Sequence, residues 1–225
     1  MKAVLLAAGR GIRMGVLTDR IPKPLLKVCG KPLITYALDA LPRCIDSCVV
    51  VIGYRGDDIR DFLGVAYFGV PLSYVAQEQP GTGGALYSAR TYLAKTEYFF
   101  VVGTDDVFGA GELDTLVCGV ATYGITYGVP VSDTMLGVLF DDDNRLIGRK
   151  TVTTGPLRYF GVGAYVLPPA VFGQPFYRLR NGEYSIPHSL ESQPFPVYVR
   201  HIGTWLPVNT PGDIVYAEHA LRARR

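Results

Sequence analysis

The chain has 225 residues, 48% of them hydrophobic and 19% charged, enough for one α/β domain with a substantial core and marginal for two. Its formal net charge of +2 is too small to imply a nucleic acid or a membrane surface as partner. No segment is long and apolar enough to span a bilayer, and the N-terminus lacks a signal-peptide pattern, so the expectation is one cytoplasmic domain over residues 1–225, monomeric or homo-oligomeric. Cys29, Cys44, Cys48 and Cys118 show no zinc spacing and are read as reduced thiols, with a Cys44–Cys48 disulfide left open. His188, His201 and His219 stand apart from any triad-like context and are read as structural or surface residues.

In chain order, Ala3 to Ala7 is a short apolar run ending in small residues, the pattern of a buried parallel strand, and it feeds straight into a glycine-rich loop. Gly9, Gly11 and Gly15 remove the Cβ atoms that would hold backbone N–H groups away from an anion, and Arg10 and Arg13 add two guanidinium forks. Lys23 follows between Pro22 and Pro24, so its ammonium is presented from a stiff backbone. Arg10, Arg13, Arg20 and Lys23 are costly to crowd together unless a polyanion neutralises them. The glycine spacing is not that of a dinucleotide fingerprint, and no Gly-Lys-Ser/Thr closes the run as a phosphate loop requires.

The match is to something longer. Leu6-Ala-Ala-Gly-Arg-Gly-Ile-Arg-Met14, Leu17-Thr18, Pro22-Lys-Pro-Leu-Leu26 and Gly30-Lys-Pro-Leu-Ile34 together resemble the signature of sugar-phosphate nucleotidyltransferases. The resemblance implies a three-layer α/β/α, Rossmann-like nucleotide-diphospho-sugar transferase fold with a mixed, mostly parallel central sheet. It also implies that Leu6, Ala8, Gly9 and Gly11 wrap a nucleoside triphosphate while Arg13 and Lys23, the catalytic pair, face its phosphates. Ile12 departs from the pattern, standing where that family has a small Thr or Ser.

A helix is expected from Pro32 through Leu41, a strand over 47–53, a helix over 57–63 and a strand over 72–75. The next stretch, Gln77-Glu-Gln-Pro-Gly-Thr-Gly-Gly, opens another helix. Its glycines Gly81, Gly83 and Gly84 allow close approach of a flat ring, and a Gln amide offers a donor and an acceptor to a pyrimidine. The family places a similar segment against the base, which here implies Gln77 or Gln79 with Gly81 and Thr82. Gln favours uracil or thymine, with guanine open through Glu78.

Tyr98 to Val102 reads as a buried strand, with Thr104-Asp-Asp106 at its carboxyl end, where parallel sheets place their ligands. Magnesium takes hard oxygen ligands, and the resemblance puts Asp105 on the family's metal and nucleotide position, with Asp106 behind it. Residues 125–163 turn to strands, with a hairpin at Asp141-Asp-Asp-Asn144. There the resemblance implies that Lys150 binds the sugar phosphate and that Gly161 lets the sugar lie against the backbone, although the family's Glu before that lysine is missing. Near the end Thr210 is an N-cap, Pro211 the first helical residue and Asp213 a capping-box acid, while Asn209 resembles the family's second Mg²⁺ ligand. No hexapeptide repeat follows.

The expected chemistry is transfer of a nucleotidyl group from a nucleoside triphosphate, UTP or dTTP by preference, to a sugar-1-phosphate. The alternatives are a cytidylyltransferase acting on a polyol or choline phosphate, and a nucleotide-sensing homologue without turnover.

Overall fold

The computed structural model describes residues 1–128, 136–151 and 158–223. Four parallel strands form its centre in the spatial order Phe99–Gly103, Lys2–Ala7, Ser47–Ile52 and Val70–Ala76. The first three are apolar runs buried on both faces, which is why they read as continuous hydrophobic stretches, while Val70–Ala76 lies further out and buries only Leu72 fully. Arg158–Leu167 runs antiparallel beside Phe99–Gly103, with Thr122–Gly128 on its other edge and the Leu136–Phe140/Leu146–Thr151 hairpin joined to its earlier half through Gly137↔Phe160. The Asp141 carboxylate accepts from the N–H groups of Asp143 and Arg145 across that hairpin's turn, the local role expected for the acidic run.

Helices cover both faces. On one, Ile34, Ala37 and Leu38 of the Leu33–Asp39 helix and Ile59 and Leu63 of the Gly56–Leu63 helix pack on Leu5, Val50 and Val102. On the other, Ala85 and Leu86 of the Gly81–Ser88 helix join Leu93, Ile186 and Leu190 on Val4, Val51 and Val101. The result is the three-layer α/β/α arrangement with a mixed, mostly parallel sheet. A smaller third cluster packs the Pro211–Arg222 helix through Ala217 onto Met14, Val28, Leu33 and Val208, tying the end of the chain to the glycine loop. All four cysteines are free thiols, and burial pushes Cys48 up to about 12. None of the described helices is long and apolar enough to cross a membrane.

From Lys2–Ala7 the chain winds outward through Ser47–Ile52 and Val70–Ala76, then returns to the opposite side of Lys2–Ala7 with Phe99–Gly103. Loops leaving the carboxyl ends of those two neighbours diverge to opposite faces and leave a crevice. Thr104 Oγ1 closes its base by donating to Leu6 O at 3.0 Å. The capping box at the last helix is complete: Thr210 Oγ1 accepts from Asp213 N, and Asp213 Oδ2 accepts from the N–H groups of Thr210 and Asn209, both at 2.8 Å. Thr210→Ala is expected to cost about 1 kcal/mol, read as a lower urea midpoint with an unchanged slope.

Candidate active site

The crevice is a cleft of about 720 Å³ lined by the glycine loop, Lys23, Gln77, the start of the Gly81–Ser88 helix, Thr104 to Asp106 and one lip from residues 179–187. A volume of that order suits a ligand of nucleotide size. Leu6, Ala8, Gly9, Gly11 and Arg13 all line it, as do Gln77, Gly81, Thr82 and Asp105.

Lys23 sits at the floor with 9% of its side chain exposed, donating from Nζ to Asp105 Oδ2 at 2.6 Å and to Asn209 Oδ1 at 3.2 Å. Arg13 reaches the same Asn209 oxygen through Nη2 at 2.9 Å. Four residues separated by up to 196 positions in sequence therefore meet at one point. A buried ammonium is tolerable only because two oxygens face it. Gly11 is held at φ +69°, and a Cβ there would lie 2.8 Å from Lys23 Cβ, so the loop conformation and the lysine's path both require glycine. Val208 N donates to Asp105 O at 3.0 Å, which carries the strand register across to Asn209. Arg10 lines the mouth with its guanidinium over the Tyr54 ring, whereas Arg20 is exposed and does not reach the cleft.

Asp106 is 7% exposed. Burial drives its carboxyl well above the usual range and the neighbouring Asp105 charge adds to the push, while the Trp205 indole and Lys23 pull the other way. The indole approaches without regular hydrogen-bond geometry, leaving Trp205 Nε1 with no conventional partner among the described residues. No group of three His, Cys, Asp or Glu residues among those described is arranged to hold a metal alone. Asp105 and Asn209 nevertheless aim two hard oxygens at one cation, at present the Lys23 ammonium, and that donor set fits Mg²⁺ if substrate phosphates complete its shell.

Several residues expected at the site do not line this cleft. Of the two glutamines, Gln77 lines the cleft, while Gln79 is exposed outside it and only offers its carbonyl to Gln77 Nε2. Gly83 and Gly84 do not open onto a base either: a Cβ would strike the Phe176 ring in one case and the Gln79 carbonyl in the other. Lys150 is exposed on the outer strand opposite Gly137 and faces away from the cleft, because its neighbour Arg149, paired with the buried Val138, takes the inner face. Arg149 is nearly buried there, bonded through Nε to Glu191 at 2.6 Å.

Gly161 also serves packing: a Cβ there would lie 1.5 Å from Tyr123 Oη, whose ring stacks on Tyr165. Burial pushes the Tyr123 hydroxyl up to about 12 and raises the Tyr165 hydroxyl well above its ordinary value. The glycine facing the cleft is Gly163, at φ +69° with its missing Cβ 3.5 Å from Asp106 Oδ2.

Sequence reasoning missed Tyr165 and the whole lip of Leu179, Glu183, Tyr184, Ser185 and Pro187. The lip is a short hairpin, Tyr177–Arg178 against Tyr184–Ser185, and the Asn181-Gly182 pair in its turn was the available signal. Tyr184 N donates to Pro80 O at 2.9 Å and Ile186 N to Thr82 Oγ1 at 3.1 Å, which pins the lip to the start of the Gly81–Ser88 helix. His188 is structural, bonded to Ser185 Oγ at 2.7 Å and stacked on Tyr177.

A family model described as a MobA-like NTP transferase domain matches residues 3–149. The chain belongs to that family. Among its relatives is the UTP--glucose-1-phosphate uridylyltransferase AglF of Haloferax volcanii, 38% identical over 118 residues, or 52% of this chain and 48% of the relative. The glucose-1-phosphate thymidylyltransferase of Streptomyces antibioticus is 30% identical over 209 residues, 85% of this chain and 56% of its own. The chain thus spans about half the length of these two relatives. The solved inositol-1-phosphate CTP transferase of T. maritima superposes with a TM-score of 0.78 at 20% identity, covering 98% of this chain and 96% of that one, a likeness of fold.

If Gly161 serves the Tyr123 ring, Gly161→Ala should destabilise the protein by about 1–3 kcal/mol through overpacking. Calorimetry would show that as a lower melting temperature, with triphosphate affinity measured at low temperature unchanged.

Proposed function

We propose that the chain transfers a nucleotidyl group from a nucleoside triphosphate to a sugar-1-phosphate, forming a nucleotide sugar and pyrophosphate. The observation that carries this reading is the meeting of Arg13, Lys23, Asp105 and Asn209 beside a glycine loop at the switch point of the sheet. The relatives named uridylyl- and thymidylyltransferases support the same reaction class.

The attacking oxygen belongs to a phosphate that is already anionic at neutral pH, so no general base is needed and the barrier lies in bringing anions together. The glycine loop cradles the triphosphate through backbone N–H groups. Lys23, pre-set on its proline-flanked backbone, exchanges the Asp105 carboxylate for phosphate oxygens when the triphosphate enters. Arg13, anchored on Asn209 at the rim, spreads charge toward the leaving pyrophosphate. Mg²⁺, held by Asp105 and Asn209, would supply further charge neutralisation at the reacting phosphates. Asp105, freed from Lys23 in that exchange, is left as an anionic oxygen donor in the cleft.

A second reading, cytidylyl transfer to a polyol phosphate, is favoured by one observation: Lys150 and Gly161, the two residues tied to a sugar, do not face the cleft. The inositol-1-phosphate CTP transferase of matching fold is in keeping with it. A matrix of triphosphates against sugar and polyol phosphates, read by pyrophosphate release, separates the two.

Lys23→Ala and Asp105→Ala are each expected to lower turnover by at least about a hundredfold while circular dichroism stays that of the folded protein; Asp105→Ala, which leaves the Lys23 ammonium facing Asn209 alone, should also lower the melting temperature. Chelation of divalent cations should abolish turnover reversibly. Activity retained in either variant would overturn the assignment.

A further inference from the structure

The lip end of the cleft carries two side-chain acceptors, Gln77 Oε1 and the exposed Glu183 carboxylate, beside the hydroxyls of Thr82 and Tyr184. Gln77 Nε2 donates to Gln79 O at 2.6 Å and to Gly81 O at 3.0 Å. Two carbonyl partners fix which end of the amide is nitrogen and occupy both of its hydrogens. Only Oε1 remains for a ligand. A free amide donor was the ground for preferring uracil or thymine, and the fold has spent it on closing its own loop.

The second acceptor is Glu183, on the lip. Its Cβ lies 2.9 Å from the position a Cβ on Gly81 would take, so the carboxylate is carried next to the same helix start and lines the same cleft. Its backbone is fixed on both sides: Glu183 O accepts from Leu179 N at 2.8 Å, Glu183 N donates to Asn181 Oδ1 at 3.1 Å, and Tyr184 N donates to Pro80 O. The carboxylate itself has no ion pair and no hydrogen bond among the described residues.

We infer that Glu183 and Gln77 Oε1 together select a nucleobase carrying an exocyclic amine, with Glu183 as the discriminating residue. This inference rests on the proposed nucleotidyl-transfer reading and names the substrate class of that site. An amine such as that of cytosine, adenine or guanine brings two hydrogens and can satisfy both acceptors at once. Uracil and thymine present one N–H flanked by two carbonyls. They can serve Gln77 or Glu183 but not both, and the carboxylate is then covered by the base against a carbonyl lone pair. Leaving a charged acceptor unpaired under a ligand corresponds to about tenfold or more in affinity. Glu183→Gln supplies a donor at the same place and removes the repulsion.

The test is calorimetric titration of the full chain with CTP, ATP, GTP, UTP and dTTP in the presence of Mg²⁺, for wild type and for Glu183→Gln, alongside pyrophosphate release with the acceptor matrix. For wild type, at least one amine-bearing triphosphate should bind about tenfold or more tighter than UTP and dTTP. In Glu183→Gln that ratio should fall to about threefold or less, mainly through tighter UTP. Preference of wild type for UTP or dTTP overturns the inference, as does a ratio that Glu183→Gln leaves unchanged. Selective binding without turnover supports the base selection and refutes the catalytic reading, UTP-selective turnover does the reverse, and absence of triphosphate binding overturns both.

Discussion

Everything at the site depends on one buried contact, the Lys23 ammonium against the Asp105 carboxylate at 2.6 Å. Taking a lysine out of water costs several kcal/mol unless its charge is matched, so the fold must bring an anion to it. Asp105 comes from the end of the Phe99–Gly103 strand, Lys23 from the loop after Lys2–Ala7, and the two strands are parallel neighbours in register from Lys2↔Phe99 to Leu6↔Gly103. The contact is therefore a product of sheet topology. It is also open to solvent on one side, because the Asp105 side chain is 40% exposed while that of Lys23 is 9% exposed.

A second layer of structure keeps that contact open on one side only. Asn209 accepts from both Arg13 and Lys23, and its backbone N–H is held by Asp213, the acid of the capping box at the last helix. A local helix-start device thus positions a residue of the cleft. Beneath it, burial and the neighbouring Asp105 charge hold the Asp106 carboxyl well above the usual range. The opposite wall is built differently, on Tyr165, whose ring stacks on Tyr123 in the antiparallel part of the sheet near the Arg149–Glu191 pair. One end of the cleft is organised by charge and backbone N–H groups, the other by rings and a short hairpin.

The parts legible in the sequence are those encoded over short spans. The glycine loop, the Pro-Lys-Pro presentation of Lys23, the aspartates after a buried strand, the Asp141 turn and the Thr210 capping box each carry their geometry within about a dozen residues. Each lies where its pattern places it. The alternation of strand and helix likewise implied an α/β domain, and the resemblance its three-layer architecture. Lys150 and Gly161 were misplaced because a strand side chain's face is set by register, and one position separates the inner Arg149 from the outer Lys150. Gly161 also precedes a shift in pairing between it and Tyr165, which local pattern does not reveal.

By itself the sequence determined the fold class, the family and the glycine-loop side of the cleft, since backbone conformation and helix starts follow from local sterics and hydrogen bonding. Only the tertiary structure decided which glutamine faces the cleft, that its N–H hydrogens are already taken, and that the lip from residues 179–187 closes over the helix start. Those outcomes depend on which long-range partners reach a polar atom first, and that competition is settled by packing between segments about a hundred residues apart, as from Thr82 to Ile186.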